Sequence, residues 1–221
     1  MGKLIVIEGT DSSGKTTQSK LLEENLNKQG IKSVLLSFPT YDTPTGRIIS
    51  GPLLGKTGES YFNEDASKID PKIACLYYAA DRYNSLDIIK DYLNKDYYVI
   101  LDRYTSSNMA HQGGKIKDKD ERFNMFMWID RLEYWLLGLP KADETILLHV
   151  SPETNIELSK LKEHSDPLEK NLEYLEDSEA CYLELSELYN WKKIECMEFG
   201  KLKSIEEIQN EILKIVLKKE Q

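Results

Sequence analysis

The sequence predicts an α/β fold: a doubly wound, five-stranded parallel sheet with helices on both faces, in a single domain spanning residues 1–221. Three observations predict it. Short apolar runs of strand length recur at residues 3–7, 32–38, 97–101, 145–150 and 193–199. Segments of helical length separate them, and alternation of this kind is the signature of parallel strands joined by crossover helices. The first run breaks into a loop with glycine at both ends and then into a helix.

In chain order, residues 3–7 are apolar throughout, as a strand buried on both faces must be. Residues 16–27 form a helix with Leu21, Leu22 and Leu26 on one side, ended by Gly30. Residues 32–38 are the second strand, stopped by Pro39, and the connection is right-handed. Residues 40–58 are rich in turn formers, with one short helix near Arg47-Ile48-Ile49. Residues 69–94 are helical, as one helix or as two pieces joined near Asn84. The third strand, 97–101, ends at Asp102-Arg103. A helix at 106–112 is closed by Gly113-Gly114, a charged connection covers 115–120, and a helix rich in Phe, Met and Trp covers 121–137. The fourth strand, 145–150, is closed by Ser151-Pro152. A helix from Glu153 leads into a polar segment at 163–171, and the next helix runs from 172 to about 189. After the fifth strand at 193–199, Ser204-Ile205-Glu206-Glu207 is a capping box for the last helix.

Composition narrows the function. An apolar fraction of 40% and a charged fraction of 30% describe an ordinary globule. Net charge is −9, from 29 basic and 38 acidic residues, which argues against a general nucleic-acid binder. An anionic ligand must therefore be held by a local positive site. No apolar run is long enough to span a bilayer, so no membrane partner is expected. Met1-Gly2-Lys3 leads straight into a strand without a signal-peptide profile. Cys75, Cys181 and Cys196 are odd in number and widely spaced, which suits reduced thiols in a cytoplasmic protein rather than zinc or disulfides.

The chemistry concentrates at the strand ends. Gly9-Thr10-Asp11-Ser12-Ser13-Gly14-Lys15-Thr16-Thr17 fits the P-loop pattern without a mismatch. Its glycines let the backbone approach phosphates, and its amides and the helix start attract anionic oxygens. Lys15 reaches the β- and γ-phosphates of a nucleotide, and the Thr16 hydroxyl is placed for Mg²⁺. Asp102, an acid ending a buried strand, either caps the strand or acts on Mg²⁺ directly or through water; beside a P-loop the metal role is the stronger reading. Arg103 then lies on the same crevice and can grip a phosphate with its fork of donors. Tyr78 and Arg82 are four apart on one helix and so share a face, where a ring can stack on a base and a guanidinium can bond its carbonyl.

Together these residues resemble the thymidylate kinase family. The stretch Glu8 through Gln18, including Asp11, is similar to that family's P-loop. Phe38-Pro39, Ala80-Asp81-Arg82, and Asp102-Arg103-Tyr104 followed by Ser107-Asn108 and Ala110 match its motifs. So do Gly138-Leu139-Pro140-Lys141-Ala142-Asp143 and Val150-Ser151-Pro152-Glu153, and the resemblance covers roughly residues 3 to 190. It implies phosphoryl transfer from MgATP to dTMP, giving ADP and dTDP. Residues Gly9 through Thr17 would hold ATP, with Lys15, Arg103, Asp11 and Asp102 catalytic and Thr16 and Asp102 on Mg²⁺. Asp11 would lie near the acceptor's sugar hydroxyl and phosphate. Tyr78 would stack on thymine, Arg82 would bond its carbonyl, Arg103 would hold the acceptor phosphate, and Phe38, Ser107, Asn108 and His111 would line the pocket. A lid at about 153–171 and a homodimer, with the 128–135 helix as one candidate contact, are implied as well.

The chain departs from the family at three points. His111 replaces a tyrosine that some members place near the sugar, and Thr40-Tyr41 follows Phe38-Pro39 where an arginine is usual. A catalytic arginine in the P-loop or lid is also missing: Ser12 and Ser13 fill the loop, and no arginine follows Arg131. Such an arginine is worth about 10³–10⁵ in rate. Lys160, Lys162 and Lys170 are the lid's cations. Two further readings share these residues: a kinase of the same fold acting on another nucleotide or nucleoside, and a catalytically weak nucleotide-binding regulatory protein.

Overall fold

The computed structural model describes residues 2–10, 12–58, 60–62, 66–159 and 172–217. Five parallel strands form the central sheet: β1 (Lys3–Glu8), β2 (Ser33–Ser37), β3 (Tyr98–Asp102), β4 (Glu144–His149) and β5 (Lys192–Glu195), in the order β2-β3-β1-β4-β5. Chain order reverses beside β1, so the crevice at the carboxyl ends of β1 and β3 is the switch point where such sheets bind ligands. Register places Ile7 opposite Asp102 and Glu8 opposite Leu147, which brings the loop after β1 level with the end of β3.

The central strands β1, β3 and β4 are largely buried on both faces while the edge strands β2 and β5 are only partly covered, and side-chain alternation divides the core into layers. Ile5, Ile7, Ile100, Ile146 and Leu148 point to one side and pack on α1 (Lys15–Lys28) and on α9 (Ile205–Val216), through Leu22, Leu26, Ile208 and Ile212. Leu4, Val6, Val99 and Leu101 point to the other and meet α4 (Leu86–Asn94), Phe38 and Tyr104. A second cluster on that side joins α5 (Thr105–Gly113), α6 (Lys119–Asp130) and α8 (Leu172–Leu188) around Met109, Phe126, Ile129, Cys181 and Tyr182. A fully buried side chain of this size is worth about 1.5–3 kcal/mol.

Several element bounds differ from expectation for local reasons. Of the two readings of 69–94, the two-piece one is found: α3 (Pro71–Asn84) and α4 are separated at Ser85, next to the expected joint at Asn84. α2 (Pro44–Ile48) runs into a π-helical turn at Ile49–Leu53. α6 starts at Lys119, inside the expected connection, because the Asp118 side chain accepts from the Asp120 and Glu121 amides as an N-cap. Beyond Asp130 it gives way to a π-helical turn, Arg131–Leu136. The expected strand at 193–199 ends early. Phe199 and Gly200 take φ of 49° and 75°, which turns the chain back, so β6 (Met197–Glu198) pairs antiparallel with β7 (Lys201–Leu202) instead of extending β5. α7 (Pro152–Ser159) is the described part of the expected lid; the rest of it lies outside the described residues. Among the described residues no helix is long and apolar enough to cross a membrane.

Candidate functional site

The nucleotide-phosphate half of the site is built by β1, its loop and the start of α1. Gly9 has φ 151°, and a Cβ there would meet the Leu148 carbonyl oxygen at 2.5 Å, so only glycine fits against β4. Gly14, the N-cap of α1, sits at φ 87° with nothing within 4 Å of where a Cβ would stand. Its open side lets a phosphate approach the backbone, and the first turn of α1 carries no acidic residue to oppose an anion. Lys15 is buried, and its Nζ donates to the Thr10 carbonyl at 2.6 Å. The side-chain oxygens of Ser12 and Ser13 are buried without a partner among the described residues. Buried orphans of this kind are costly unless a ligand satisfies them. Asn155 of α7 donates to the Thr10 hydroxyl, a contact absent from the sequence reading, and so links α7 to the loop. Thr17 is exposed on the first turn of α1, and Asp11 lies outside the described residues.

At the end of β3 the Thr16 hydroxyl donates to Asp102 Oδ2 at 2.7 Å. One hydroxyl and one carboxylate in contact beside a buried lysine form a hard-oxygen pair of the kind Mg²⁺ prefers, and the fit to that ion is good. Asp102 is 5% exposed. Arg103, next along, takes φ 69°, a left-handed conformation uncommon outside glycine. The turn is held on both sides. The Arg103 amide donates to the Ile7 carbonyl at 3.1 Å, and the Tyr104 amide donates to Glu8 Oε1 at 2.9 Å.

Glu8 organises the middle of the site, and the sequence reading assigned it no role. Its carboxylate is fully buried and also accepts from Ser106 and Ser107 hydroxyls, both at 2.7 Å, and from the Tyr182 hydroxyl at 3.0 Å. Ser107 therefore turns its hydroxyl into this cluster, not outward as a pocket wall. An acid closing an otherwise apolar strand was the available signal. The Arg103 fork continues from the cluster, with Nη1 3.3 Å from His111 Nε2 and 3.5 Å from the Tyr182 hydroxyl.

The base-side pair, Tyr78 and Arg82, lies one turn apart on α3, with Arg82 on a support that no motif announced. Arg82 is 2% exposed and donates Nε and Nη2 to the two oxygens of Glu133, each at 2.6 Å. Burial opposes the Arg82 charge, while the Glu133 charge and hydrogen bonds outweigh that and hold its pKa above the usual arginine value. Glu133 also accepts from Thr105 and Asn108, both at 2.9 Å. The Asn108 amide nitrogen further donates to the Cys75 carbonyl, which leaves its Oδ1 buried and unpartnered among the described residues, an acceptor waiting for a donor. Tyr78 is half-buried on the same helix. Phe38 is core, packed 6.2 Å from the Tyr104 ring, so it backs the pocket instead of lining it. Asp81 accepts from the Thr40 amide and from the Thr40 and Thr45 hydroxyls, tying the segment after Phe38-Pro39 to α3. Tyr41, at the position of the missing arginine, is exposed with Lys56 Nζ 5.1 Å above its ring.

Known proteins match this arrangement along nearly the whole chain. The family model described as thymidylate kinase matches residues 7–212. A probable thymidylate kinase of Methanocaldococcus jannaschii is 36% identical over 212 residues, covering 95% of this chain and 93% of that one. The thymidylate kinase of Homo sapiens is 29% identical, covering 96% and 88%. A solved structure of thymidylate kinase from Candida albicans superposes with a TM-score of 0.73 at 29% identity, covering 97% of this chain and 91% of that one.

Proposed function

We propose how this chain, which belongs to the thymidylate kinase family, assigns its residues to the reaction of a dTMP kinase. The enzyme transfers the γ-phosphoryl group of ATP to dTMP, giving ADP and dTDP. A phosphate oxygen of dTMP attacks the γ-phosphorus, and the bond to the β,γ-bridging oxygen breaks. The catalyst's task is to hold two anions in line and offset the charge they bring.

Gly9, Thr10, Asp11, Ser12, Ser13, Gly14, Lys15, Thr16 and Thr17 hold the ATP phosphates. Lys15 leaves the Thr10 carbonyl to reach the β- and γ-phosphates, and Ser12 and Ser13 supply hydroxyls that have no partner among the described residues. Thr16 and Asp102 hold Mg²⁺, which when bound spreads the negative charge of the phosphates. Arg103 grips the acceptor phosphate. Tyr78 stacks on thymine, and the remaining Nη1 end of Arg82 together with Asn108 Oδ1 meets the polar edge of the base. Phe38, Ser107 and His111 shape the surround, and Asp11 serves the acceptor's sugar and phosphate. Residues at about 153–171 act as a lid over a single catalytic domain, and a lid lysine takes the place of the absent arginine at reduced rate. Three buried, unpaired cysteines suit a cytoplasmic setting. The enzyme works as a homodimer.

The observation that carries this reading is the contact between Thr16 and Asp102 beside a buried Lys15, facing an arginine whose backbone turn is held by a buried acid. The test is ADP release from MgATP against a panel of nucleoside monophosphates and nucleosides. Strong stimulation by dTMP is expected; no stimulation by any acceptor would overturn it. Replacing Lys160, Lys162 and Lys170 singly with alanine tests the lid assignment, which fails if all three variants keep full turnover.

A further inference from the structure

We propose that Tyr182 is a positioning residue for the acceptor site, tying Arg103 and His111 to the buried carboxylate of Glu8; the proposal rests on the reading of Arg103 as the acceptor-phosphate residue. Tyr182 is 1% exposed on α8, and its hydroxyl touches four groups of that region. It lies 3.0 Å from Glu8 Oε2, 3.2 Å from Ser107 Oγ, 3.4 Å from His111 Nε2 and 3.5 Å from Arg103 Nη1. Glu8 is a buried acceptor, so the Tyr182 O–H points to it, and the hydroxyl oxygen accepts from Arg103 Nη1.

The same constraint sets His111. Arginine only donates, so Nε2, 3.3 Å from Arg103 Nη1, must accept, and the ring proton sits on Nδ1. Nδ1 then donates to the Tyr174 hydroxyl at 2.9 Å. The two tyrosines also fix the ring plane. Tyr174 stacks on it at 5.8 Å with 13° between planes, and Tyr182 meets it edge-on at 5.6 Å and 88°. One helix thus supplies both walls that orient the imidazole, and one hydroxyl links imidazole and guanidinium to the strand end that begins the P-loop.

A guanidinium on three rotatable methylenes has many orientations, and holding one of them before the phosphate arrives reduces what binding must freeze. The effect belongs to dTMP, because the residues held are those assigned to the acceptor. A scaffold role would instead lower stability and weaken both substrates together.

Steady-state kinetics on Tyr182→Phe, which keeps the ring in its slot and removes only the hydroxyl, separates the two. KM for dTMP is expected to rise about tenfold, on the scale of one hydrogen bond to a charged group, with KM for ATP within about twofold of the parent. Arg103→Ala should raise KM for dTMP further, and adding Tyr182→Phe to it should change nothing more, since the hydroxyl would then have no arginine to hold. Tyr174→Phe, at the half-buried end of the cluster, should repeat the dTMP effect more weakly. An unchanged dTMP KM in both tyrosine variants, beside a raised one in Arg103→Ala, overturns the proposal and leaves the Arg103 assignment standing. Equal losses for dTMP and ATP with a lower melting temperature also overturn it. An Arg103→Ala enzyme with normal dTMP KM overturns the Arg103 assignment itself.

Discussion

Arg82 and Glu133 show how much of a residue's surroundings a short motif leaves unsaid. A tyrosine and an arginine one helical turn apart are visible in the sequence, but the acid that holds the arginine comes from 51 residues away, inside a π-helical turn that no periodicity announces. Side chains of the pair are 3% and 0% exposed. A charge so placed is tolerable only with its partner, because water cannot take the partner's place. Glu133→Ala should therefore cost about 3–5 kcal/mol, read as a shifted midpoint in denaturant, and should raise KM for dTMP through loss of Arg82 orientation. A loss under about 1 kcal/mol would mean that the arginine finds other partners and that Glu133 is not its anchor. Lys15, Thr16 and Asp102 were legible for the opposite reason. Lys15 and Thr16 belong to one contiguous loop, and Asp102, though 86 residues from Thr16, ends the strand that pairs with the one leading into that loop, so the parallel register brings them together.

Among the elements, the last helix was the most legible and the fifth strand the least. Ser204-Ile205-Glu206-Glu207 does form the capping box: the Glu207 amide donates to Ser204 Oγ at 3.2 Å, and the Ser204 amide donates to Glu207 Oε2 at 2.7 Å. These bonds are local and complete within four residues, and so readable from sequence. Ser204→Ala should lower stability by about 1 kcal/mol in thermal denaturation. An unchanged melting temperature would show that packing of Ile208 and Ile212 alone sets where α9 begins. The fifth strand forms and pairs with β4 but stops at Glu195 rather than 199, because alternation along a stretch does not say where its pairing ends. A Phe199-Gly200 turn with both φ positive redirects the chain, and nothing in Phe199 favours that conformation. The early start of α6 at its Asp118 cap is a boundary matter of the same kind, decided by a cap rather than by periodicity.

Over the whole molecule, His149 and the outer face of α3 and α6 carry consequences that no single element does. His149 on β4 places Nε2 2.7 Å from Glu179 of α8 and Nδ1 against Glu195 of β5, joining three elements, with Lys193 also 2.8 Å from Glu195. The Glu179 hydrogen bond raises its pKa above 6.5; burial opposes the rise and Glu195 adds to it. A raised folded pKa means stability fully present below about 6.5 and lost as pH climbs through the folded value. Melting temperature should therefore fall across that window, and His149→Gln should flatten the profile; an unchanged slope would place the pH dependence elsewhere. The outer face addresses assembly. Ile73 and Leu76 on α3 and Phe123 and Met127 on α6 are all exposed, and Lys72 Nζ lies 5.7 Å over the Trp128 ring, so the two helices present one apolar surface. Ile73 with Leu76 and Phe123 with Met127 keep the three- and four-residue spacing of a helix face that ordinarily packs on something. The proposed homodimer would seat a second copy on this patch by two-fold symmetry, and a stable dimer needs about 800 Å² from each partner. Leu76→Asp and Met127→Asp place charges on this face at exposed positions. Each should convert a sedimenting dimer into a folded monomer at micromolar concentration, with the melting temperature falling as concentration falls in the parent but not in the variants. A parent that sediments as a monomer at every concentration would overturn the assignment of this face.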